Sequence, residues 1–91
     1  MIFMNQFDLK NKTAIITGGA QGFGLEIAKK FLKSGSKVFI WDIDEKELLK
    51  ATKQINNPNL NYNVVDVSNY EQIEKTVSDI ISNTKIDILI N

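Results

Sequence analysis

Residues 17–24 read TGGAQGFG and contain four of the five glycines in the chain. This segment follows a short apolar run, Thr13–Thr17, and precedes apolar residues that recur at helical spacing. Glycine loses more conformational entropy on folding than any other residue, so this density requires a physical reason. A glycine-rich turn between a strand and a helix lets a phosphate approach the free N–H groups of the helix. A turn that is glycine-rich for steric reasons alone is the alternative.

The rest of the chain alternates between short apolar runs and amphipathic helical patterns. The apolar runs predict four strands, at residues 13–17, 37–41, 60–65 and 86–90. One helical pattern lies between each successive pair, so the order is β-α-β-α-β-α-β. This order predicts an α/β fold with a Rossmann-type, doubly wound parallel sheet, in a single domain spanning residues 1–91.

Local signals predict where the helices begin and end. Gly35 is expected to end the first helix as its C′ residue. Asp44 with Glu47, and Ser68 with Glu71, have capping-box spacing and are expected to open the second and third helices. The buried face of the third helix is predicted to consist of four aliphatic residues, Ile73, Val77, Ile80 and Ile81.

The composition excludes several classes of function. Lys and Arg number 11, as do Asp and Glu, so no basic excess points to nucleic acid or to an anionic membrane. The chain has no Cys and no His, which excludes thiol catalysis, disulfides and the usual zinc sites, and no metal ligand is assigned. Residues 1–9 lack the pattern of a signal peptide, and no apolar run approaches the roughly 18–20 residues of a membrane span. A cytoplasmic location is expected.

The glycine loop is the first part of the predicted binding site, because doubly wound sheets bind ligands at the carboxyl ends of their strands. Gly18 is expected to make the sharp exit from the first strand, and Gly22 to let the backbone approach a pyrophosphate. Gly24 is expected to let the helix pack on the sheet. Gln21 and Phe23, which lie between these glycines, are assigned to the same cofactor-binding loop.

Asp42 ends the second predicted strand and is the second part of the site. It lies 24 residues beyond Gly18 (42 − 18), close to the spacing of about 20 expected for an acid that binds ribose hydroxyls. No Arg or Lys lies between residues 18 and 24 or directly after Asp42 to balance the charge of a 2′-phosphate. The sequence therefore favours NAD(H) over NADP(H). The alternative is a solvated residue at a strand end.

Asp66 and Val67 follow the third predicted strand, where an adenine ring would lie over Ile43. The Asp66 carboxylate could accept a hydrogen bond from the exocyclic amine of adenine, and Val67 could supply a backbone N–H. In the alternative interpretation, Asp66 accepts backbone N–H groups in the turn before Ser68 caps the third helix.

With these motifs in order, residues 8–91 resemble the short-chain dehydrogenase/reductase family. Residues 17–24 match its T-G-x-x-x-G-x-G pattern, and residues 66–67 match its Asp-Val/Leu adenine site. Residues 87–91 (DILIN) resemble the start of its D-x-L-V-N-N-A-G segment, which implies that Asn91 lies beside the cofactor. Phe23 departs from the pattern, since the family usually has Ile or Leu there.

The resemblance implies an oxidoreductase that exchanges hydride between NAD(H) and a small-molecule alcohol or ketone. Substrates expected for the family are 3-oxoacyl thioesters, small secondary alcohols and sugars, and the complete enzyme is expected to be a homo-oligomer. The family's catalytic Asn, Ser and Tyr-x-x-x-Lys lie beyond the fourth strand. Four residues after Tyr62 and Tyr70 stand Asp66 and Glu74, not Lys. We therefore assign no catalytic residue here, interpret the chain as the truncated N-terminal half of such an enzyme, and expect it to be inactive alone.

Two other functions fit parts of the pattern. An S-adenosylmethionine methyltransferase also uses a glycine loop and strand-end acids, but its loop usually begins with an acidic residue, where this chain has Thr17. A non-catalytic nucleotide-binding remnant is the second alternative. The coding sequence after Asn91 would distinguish that remnant from part of an enzyme.

Overall fold

The computed structural model describes residues 9–91, so the expectation for a signal peptide falls largely outside the described residues. Strands and helices alternate as predicted. The strands are β1 (Thr13–Thr17), β2 (Lys37–Asp42), β3 (Leu60–Val64) and β4 (Ile88–Ile90), and the helices are α1 (Gly22–Lys33), α2 (Glu45–Ile55) and α3 (Tyr70–Ile81). None of these helices is long and apolar enough to cross a membrane.

The four strands form one parallel sheet in the order β3-β2-β1-β4. β1 therefore lies at the centre of the sheet, between β2 and β4. Thr17 at the end of β1 pairs with Trp41, and Asp42 at the end of β2 pairs with Val64. This register brings the carboxyl ends of β1, β2 and β3 to one edge of the sheet.

Helices cover both faces of the sheet, as expected for a doubly wound fold. On one face, α1 and α2 pack over Ile16 and Ile40 through buried residues that include Phe31 and Leu48. On the other face, α3 packs through Ile80 against a cluster of three residues from the sheet and its edge, Ile15, Trp41 and Val65. The alternation of inward residues along β1 and β2 accounts for this division, because successive side chains of a strand point to opposite faces.

The start of α3 differs from the sequence prediction. The N-cap is Asn69, whose side chain accepts a hydrogen bond from the Gln72 N–H at 3.1 Å, so the prediction that Ser68 caps this helix was wrong. The Ser68 hydroxyl instead donates to the Asp66 carboxylate. The buried face of α3 is also narrower than predicted, because Ile81, at the end of the helix, is 56% exposed.

The start of α2 agrees with the prediction only in part. Asp44 is the N-cap and accepts hydrogen bonds from the N–H groups of Lys46 and Glu47. In a capping box the Glu47 side chain would accept the Asp44 N–H. Here the Asp44 N–H donates instead to the Asp42 carboxylate at 3.2 Å. Gly35 has the positive φ of 92° expected just past the end of α1.

Two strands are shorter than predicted, since β3 ends at Val64 and β4 begins only at Ile88. The reason at β4 is a side chain that replaces part of the ladder. The Thr13 N–H donates to Asp87 Oδ2 at 2.9 Å, while the Asp87 N–H donates to the Thr13 carbonyl oxygen at 2.9 Å. We call this pair of bonds the Asp87–Thr13 clasp.

Candidate functional site

Two glycines of the loop give the backbone a conformation that other residues rarely adopt. Gly18 has a φ of 64° and Gly22 a φ of 61°. A Cβ atom added to either glycine would meet nothing within 4 Å, so the backbone at both positions faces open space. The loop thus combines a left-handed backbone with a surface free of side chains at these points.

The other two glycines are required by packing. A Cβ atom on Gly24 would overlap the carbonyl oxygen of Gly18, and one on Gly19 would lie 2.6 Å from Ile40 Cγ2. Gly24 therefore packs the first turn of α1 against the loop, whereas Gly19 packs the loop onto the sheet. Gly24 was predicted to make the contact with the sheet, and Gly19 was not predicted as a site residue. The restriction at Gly19 comes from Ile40 in β2, which is distant in sequence.

The N-terminus of α1 differs from those of the other helices. Its N-cap residue, Gln21, makes no side-chain capping bond, and the first turn contains no acidic residue. In contrast, Asp44 and Asn69 cap α2 and α3 with their side chains, and both first turns carry glutamate. The first N–H groups of α1 are thus left uncapped, and with the positive end of the helix dipole they favour an anion.

A hollow lies beside the loop, at the edge where β1, β2 and β3 end. Trp41 and Val65 are buried beneath it, and Ile43 and Val67 are exposed aliphatic residues at its surface. Two carboxylates complete it, and the full lining is Gly18, Trp41, Asp42, Ile43, Val65, Asp66 and Val67. The hollow therefore offers apolar surface together with two hydrogen-bond acceptors, a combination suited to an aromatic ring with polar edges.

Asp42 is held at the hollow by two backbone contacts. Its Oδ1 accepts the Asp44 N–H at 3.2 Å, and its carbonyl oxygen accepts the Val65 N–H at 3.0 Å. The second of these bonds connects the end of β2 to the segment after β3. It thus keeps the two sides of the hollow together.

Asp66 is held even more tightly. Its Oδ1 accepts hydrogen bonds from the Ser68 hydroxyl at 2.6 Å and from the Ser68 N–H at 2.9 Å. The hydroxyl first, and then the N–H, hold the pKa of the Asp66 carboxyl below its usual value. The turn contact that the sequence analysis gave as the alternative is therefore present. It uses Oδ1 only, so Oδ2 stays compatible with a ligand.

Five of the predicted site residues come together in this hollow: Gly18, Asp42, Ile43, Asp66 and Val67. The other five do not line it. Gln21, Gly22, Phe23 and Gly24 lie at the start of α1, where Phe23 is 87% exposed. Asn91 lies beside the end of β1, since its Oδ1 accepts the Thr17 hydroxyl at 3.0 Å.

Sequence reasoning missed Trp41 and Val65 as lining residues, and it missed the hydrogen bond that the Ser68 hydroxyl donates to Asp66. Trp41 and Val65 belong to apolar runs, and nothing in an apolar run distinguishes a residue beneath a surface hollow from any other core residue. For Ser68, the spacing to Asp66 was a usable signal, since Asp accepts the N–H two residues on in a common turn.

Comparison with known proteins gives a consistent result. The family model described as short chain dehydrogenase matches residues 12–91. A short chain dehydrogenase/reductase of Gibberella zeae, dpfgG, is 40% identical over 85 residues, which cover 91% of this chain and 32% of that protein. An NAD-dependent glycerol dehydrogenase of Listeria innocua is 37% identical over 90 residues, which cover 98% of this chain and 35% of that protein.

A solved structure shows the same likeness in three dimensions. It is a 3-ketoacyl-(acyl-carrier-protein) reductase from Brucella melitensis complexed with NADH, with a TM-score of 0.81 and 34% sequence identity. The alignment covers 89% of this chain and 33% of the reductase. The chain thus spans about a third of the length of the relatives that it matches.

Proposed function

Because the chain belongs to the short-chain dehydrogenase/reductase family, a family of oxidoreductases, we propose that residues 9–91 form the dinucleotide-binding part of an NAD(H)-dependent oxidoreductase. The observation that carries the proposal is the adjacency of two features. An uncapped helix N-terminus behind an open glycine loop lies next to an apolar hollow with two carboxylates. A dinucleotide has the matching sequence of groups, a pyrophosphate joined to an adenosine.

The pyrophosphate is proposed to lie over the glycine loop. Gly18 and Gly22 leave open space where a side chain would stand, so the phosphate oxygens can reach the backbone N–H groups at the start of α1. No Lys or Arg lies within residues 17–24, so this contact would depend on the backbone and the helix dipole.

The adenosine is proposed to occupy the hollow. Its ring would lie between Ile43 and Val67, whose side chains are 65% and 53% exposed and would lose contact with water. Asp42 would accept hydrogen bonds from the ribose hydroxyls, and Asp66 would accept one from the exocyclic amine through Oδ2.

The carboxylate of Asp42 is also the reason for proposing NAD(H) rather than NADP(H). A 2′-phosphate on the ribose would meet this negative charge. The first basic residue after it, Lys46, lies four residues further along the chain, in the first turn of α2. Two relatives, an NAD-dependent glycerol dehydrogenase and a reductase complexed with NADH, support the same preference.

A bound nicotinamide dinucleotide would supply hydride exchange with the carbon of an alcohol or ketone. The substrate is proposed to belong to the small secondary alcohols, sugars or 3-oxoacyl thioesters. Within this sequence neither Tyr62 nor Tyr70 is followed four residues later by Lys. We therefore expect the 91-residue chain to show no turnover in an NAD(H)-linked assay.

The proposal is tested by the substitution Asp42→Ala. The variant should bind NAD(H) more weakly by about 1–3 kcal/mol, because hydrogen bonds to a charged acceptor contribute roughly that much. The substitution should also reduce the difference between the affinities for NAD(H) and NADP(H), since it removes the repulsion between the Asp42 carboxylate and a 2′-phosphate. The single tryptophan, Trp41, lines the hollow, so its fluorescence reports occupancy.

Glu45→Ala is the matched control, because Glu45 is an exposed acid in the first turn of α2 and does not line the hollow. It should leave both affinities close to those of the wild type. An Asp42→Ala protein that keeps its full preference for NAD(H) would remove Asp42 from the ribose site. Binding of S-adenosylmethionine without binding of NAD(H) would replace the proposal with the methyltransferase alternative.

A further inference from the structure

We propose that Ser68 is a positioning residue for the adenine site, which holds Asp66 so that one carboxylate oxygen is reserved for the exocyclic amine of the base. This inference rests on the proposed function, because it assumes that the hollow binds adenosine. Ser68 itself does not line the hollow and would act through Asp66.

The first observation is that Ser68 does not cap α3, although it stands next to the helix. Asn69 provides the capping oxygen for Gln72, and the Ser68 hydroxyl points back to Asp66 Oδ1 at 2.6 Å. The hydroxyl thus makes a contact that the helix does not require. Its partner is the carboxylate that lines the hollow.

The second observation is that three of the four polar atoms of Asp66 are engaged. Its N–H donates to Gln72 Oε1 at 2.9 Å, and its carbonyl oxygen accepts the Asn69 N–H at 2.9 Å. Oδ1 accepts both the N–H and the hydroxyl of Ser68. This arrangement fixes the residue at its backbone and at one oxygen, and it leaves Oδ2 as the atom for an external donor.

The third observation is a matching turn on the other side of the hollow. Residues 42–44 (Asp-Ile-Asp) and residues 66–68 (Asp-Val-Ser) have the same pattern. In each, an Asp accepts the N–H two residues on, and an exposed β-branched residue lies between them. Only the second turn adds a side-chain hydroxyl, and its N–H bond is also shorter, at 2.9 Å against 3.2 Å.

The extra hydroxyl has two consequences for recognition. Two donors on Oδ1 restrict rotation of the carboxylate, so Oδ2 keeps one position. The same donors favour the ionised form of Asp66, and an ionised acceptor makes the stronger hydrogen bond. The site should therefore favour a purine with N–H donors at its exocyclic position and disfavour a carbonyl group there, which would face a carboxylate oxygen.

The test compares Ser68→Ala with Ser68→Thr, which keeps the hydroxyl. Each protein is titrated with NAD⁺ and with nicotinamide hypoxanthine dinucleotide, and Trp41 fluorescence is the signal. The wild type should prefer the adenine dinucleotide by about tenfold or more. In Ser68→Ala this ratio should fall by about three- to tenfold through weaker NAD⁺ binding, and Ser68→Thr should restore most of it.

A pH profile provides a readout that loss of structure alone would not produce. Removing the hydroxyl should raise the pKa of Asp66, so NAD⁺ binding by Ser68→Ala should be lost at a higher pH than in the wild type as the solution is acidified. The titratable neighbours are Asp42 across the hollow and Glu71 and Tyr70 on α3, and they are the same in both proteins.

The outcomes separate the inference from the function on which it rests. If the wild type binds neither dinucleotide, the proposed function fails. If the wild type prefers NAD⁺ and Ser68→Ala keeps both that preference and the acid limb of the profile, the role of Ser68 is refuted. A variant that has lost its far-UV circular dichroism is set aside in favour of Ser68→Cys, which keeps the size of the side chain and weakens the donor; an unchanged preference in that variant refutes the role as well.

Discussion

At the scale of single residues, the four loop glycines divide into two pairs with different requirements. Gly18 and Gly22 need a left-handed backbone and face open space, whereas Gly19 and Gly24 have no room for a side chain. A substitution in the first pair strains the backbone and places a methyl group on the surface that is proposed to bind the pyrophosphate. A substitution in the second pair forces backbone or core atoms to move.

We therefore expect Gly24→Ala and Gly22→Ala to fail in different ways. Gly24→Ala should lower the free energy of unfolding by about 1–3 kcal/mol, because the new methyl group overlaps the Gly18 carbonyl. Gly22→Ala should lower it by about 1–2 kcal/mol through the positive φ. Urea unfolding measures these losses.

Ligand titration distinguishes the two variants further. Gly22→Ala should weaken dinucleotide binding even under conditions in which it is fully folded, since its methyl group occupies the open space over the loop. If Gly22→Ala bound NAD(H) as well as the wild type does, the pyrophosphate would not lie over this part of the loop.

The residues of the loop show which features of the site could be predicted from the sequence and which could not. The spacing of Gly18, Gly22 and Gly24 predicted a strand-to-helix turn, because those positions lie close together along the chain. The requirement at Gly19 comes from Ile40, which is 21 residues away (40 − 19) and approaches only when β2 pairs with β1. No local pattern records such a contact.

At the scale of elements, the Asp87–Thr13 clasp joins the beginnings of the two strands that are furthest apart in sequence. The Thr13 N–H, and to a smaller degree Lys85, hold the pKa of the Asp87 carboxyl below its usual value of 3.8. A carboxyl whose pKa is lower in the folded state stabilises the fold above its unfolded pKa. That contribution is lost as the pH falls through the folded value.

Replacing Asp87 by Asn should therefore lower the thermal unfolding midpoint at pH 7, because a neutral amide is a weaker acceptor for the Thr13 N–H. The difference from the wild type should begin to shrink as the pH falls below 3.8 and should continue to shrink through the lower folded pKa, where the wild-type carboxyl also becomes neutral. Asp79→Asn, on the exposed face of α3, makes the same change of charge without the clasp and is the control. A difference that stayed constant from pH 7 to pH 3 would contradict a role for the charge.

The elements themselves were predictable, and their ends were less so. Hydrophobic periodicity located all four strands and three helices, because it depends on residues within one element. The caps of α2 and α3 involve a choice among neighbouring polar side chains. Before α2, the Asp44 N–H donates to the Asp42 carboxylate at the hollow, and before α3 the Ser68 hydroxyl donates to the Asp66 carboxylate. In both cases a group that could have taken part in capping the helix is bound by a carboxylate that the tertiary arrangement places at the hollow.

At the scale of the whole molecule, β4 is an edge strand within residues 9–91, since it pairs only with β1. Leu89, in its middle, is 63% exposed. An open edge with an apolar side chain is a template for pairing with another chain. The 91-residue chain should therefore associate with itself.

Substitution of Leu89 by Lys should reduce this association, because a charged side chain opposes pairing at an edge. Ile81→Lys is the control, since Ile81 is 56% exposed but lies on α3 rather than on the edge. Size-exclusion chromatography with light scattering compares the three proteins. A wild-type chain that remained monomeric at high concentration would refute the prediction.

The strand order also determines how far apart in the sequence the paired strands lie. β1 meets β2 across 24 residues (37 − 13) but meets β4 across 74 (88 − 14). Closing the longer loop costs about 1 kcal/mol more in chain entropy, and only three residues of β4 are gained in return. The unit from β1 to β3 therefore has the shorter route to its contacts. It already contains the glycine loop and four of the seven residues that line the hollow, Gly18, Trp41, Asp42 and Ile43. We therefore expect β4 to dock after the unit from β1 to β3 has formed, and its docking adds Asn91 beside Thr17 at the start of the glycine loop.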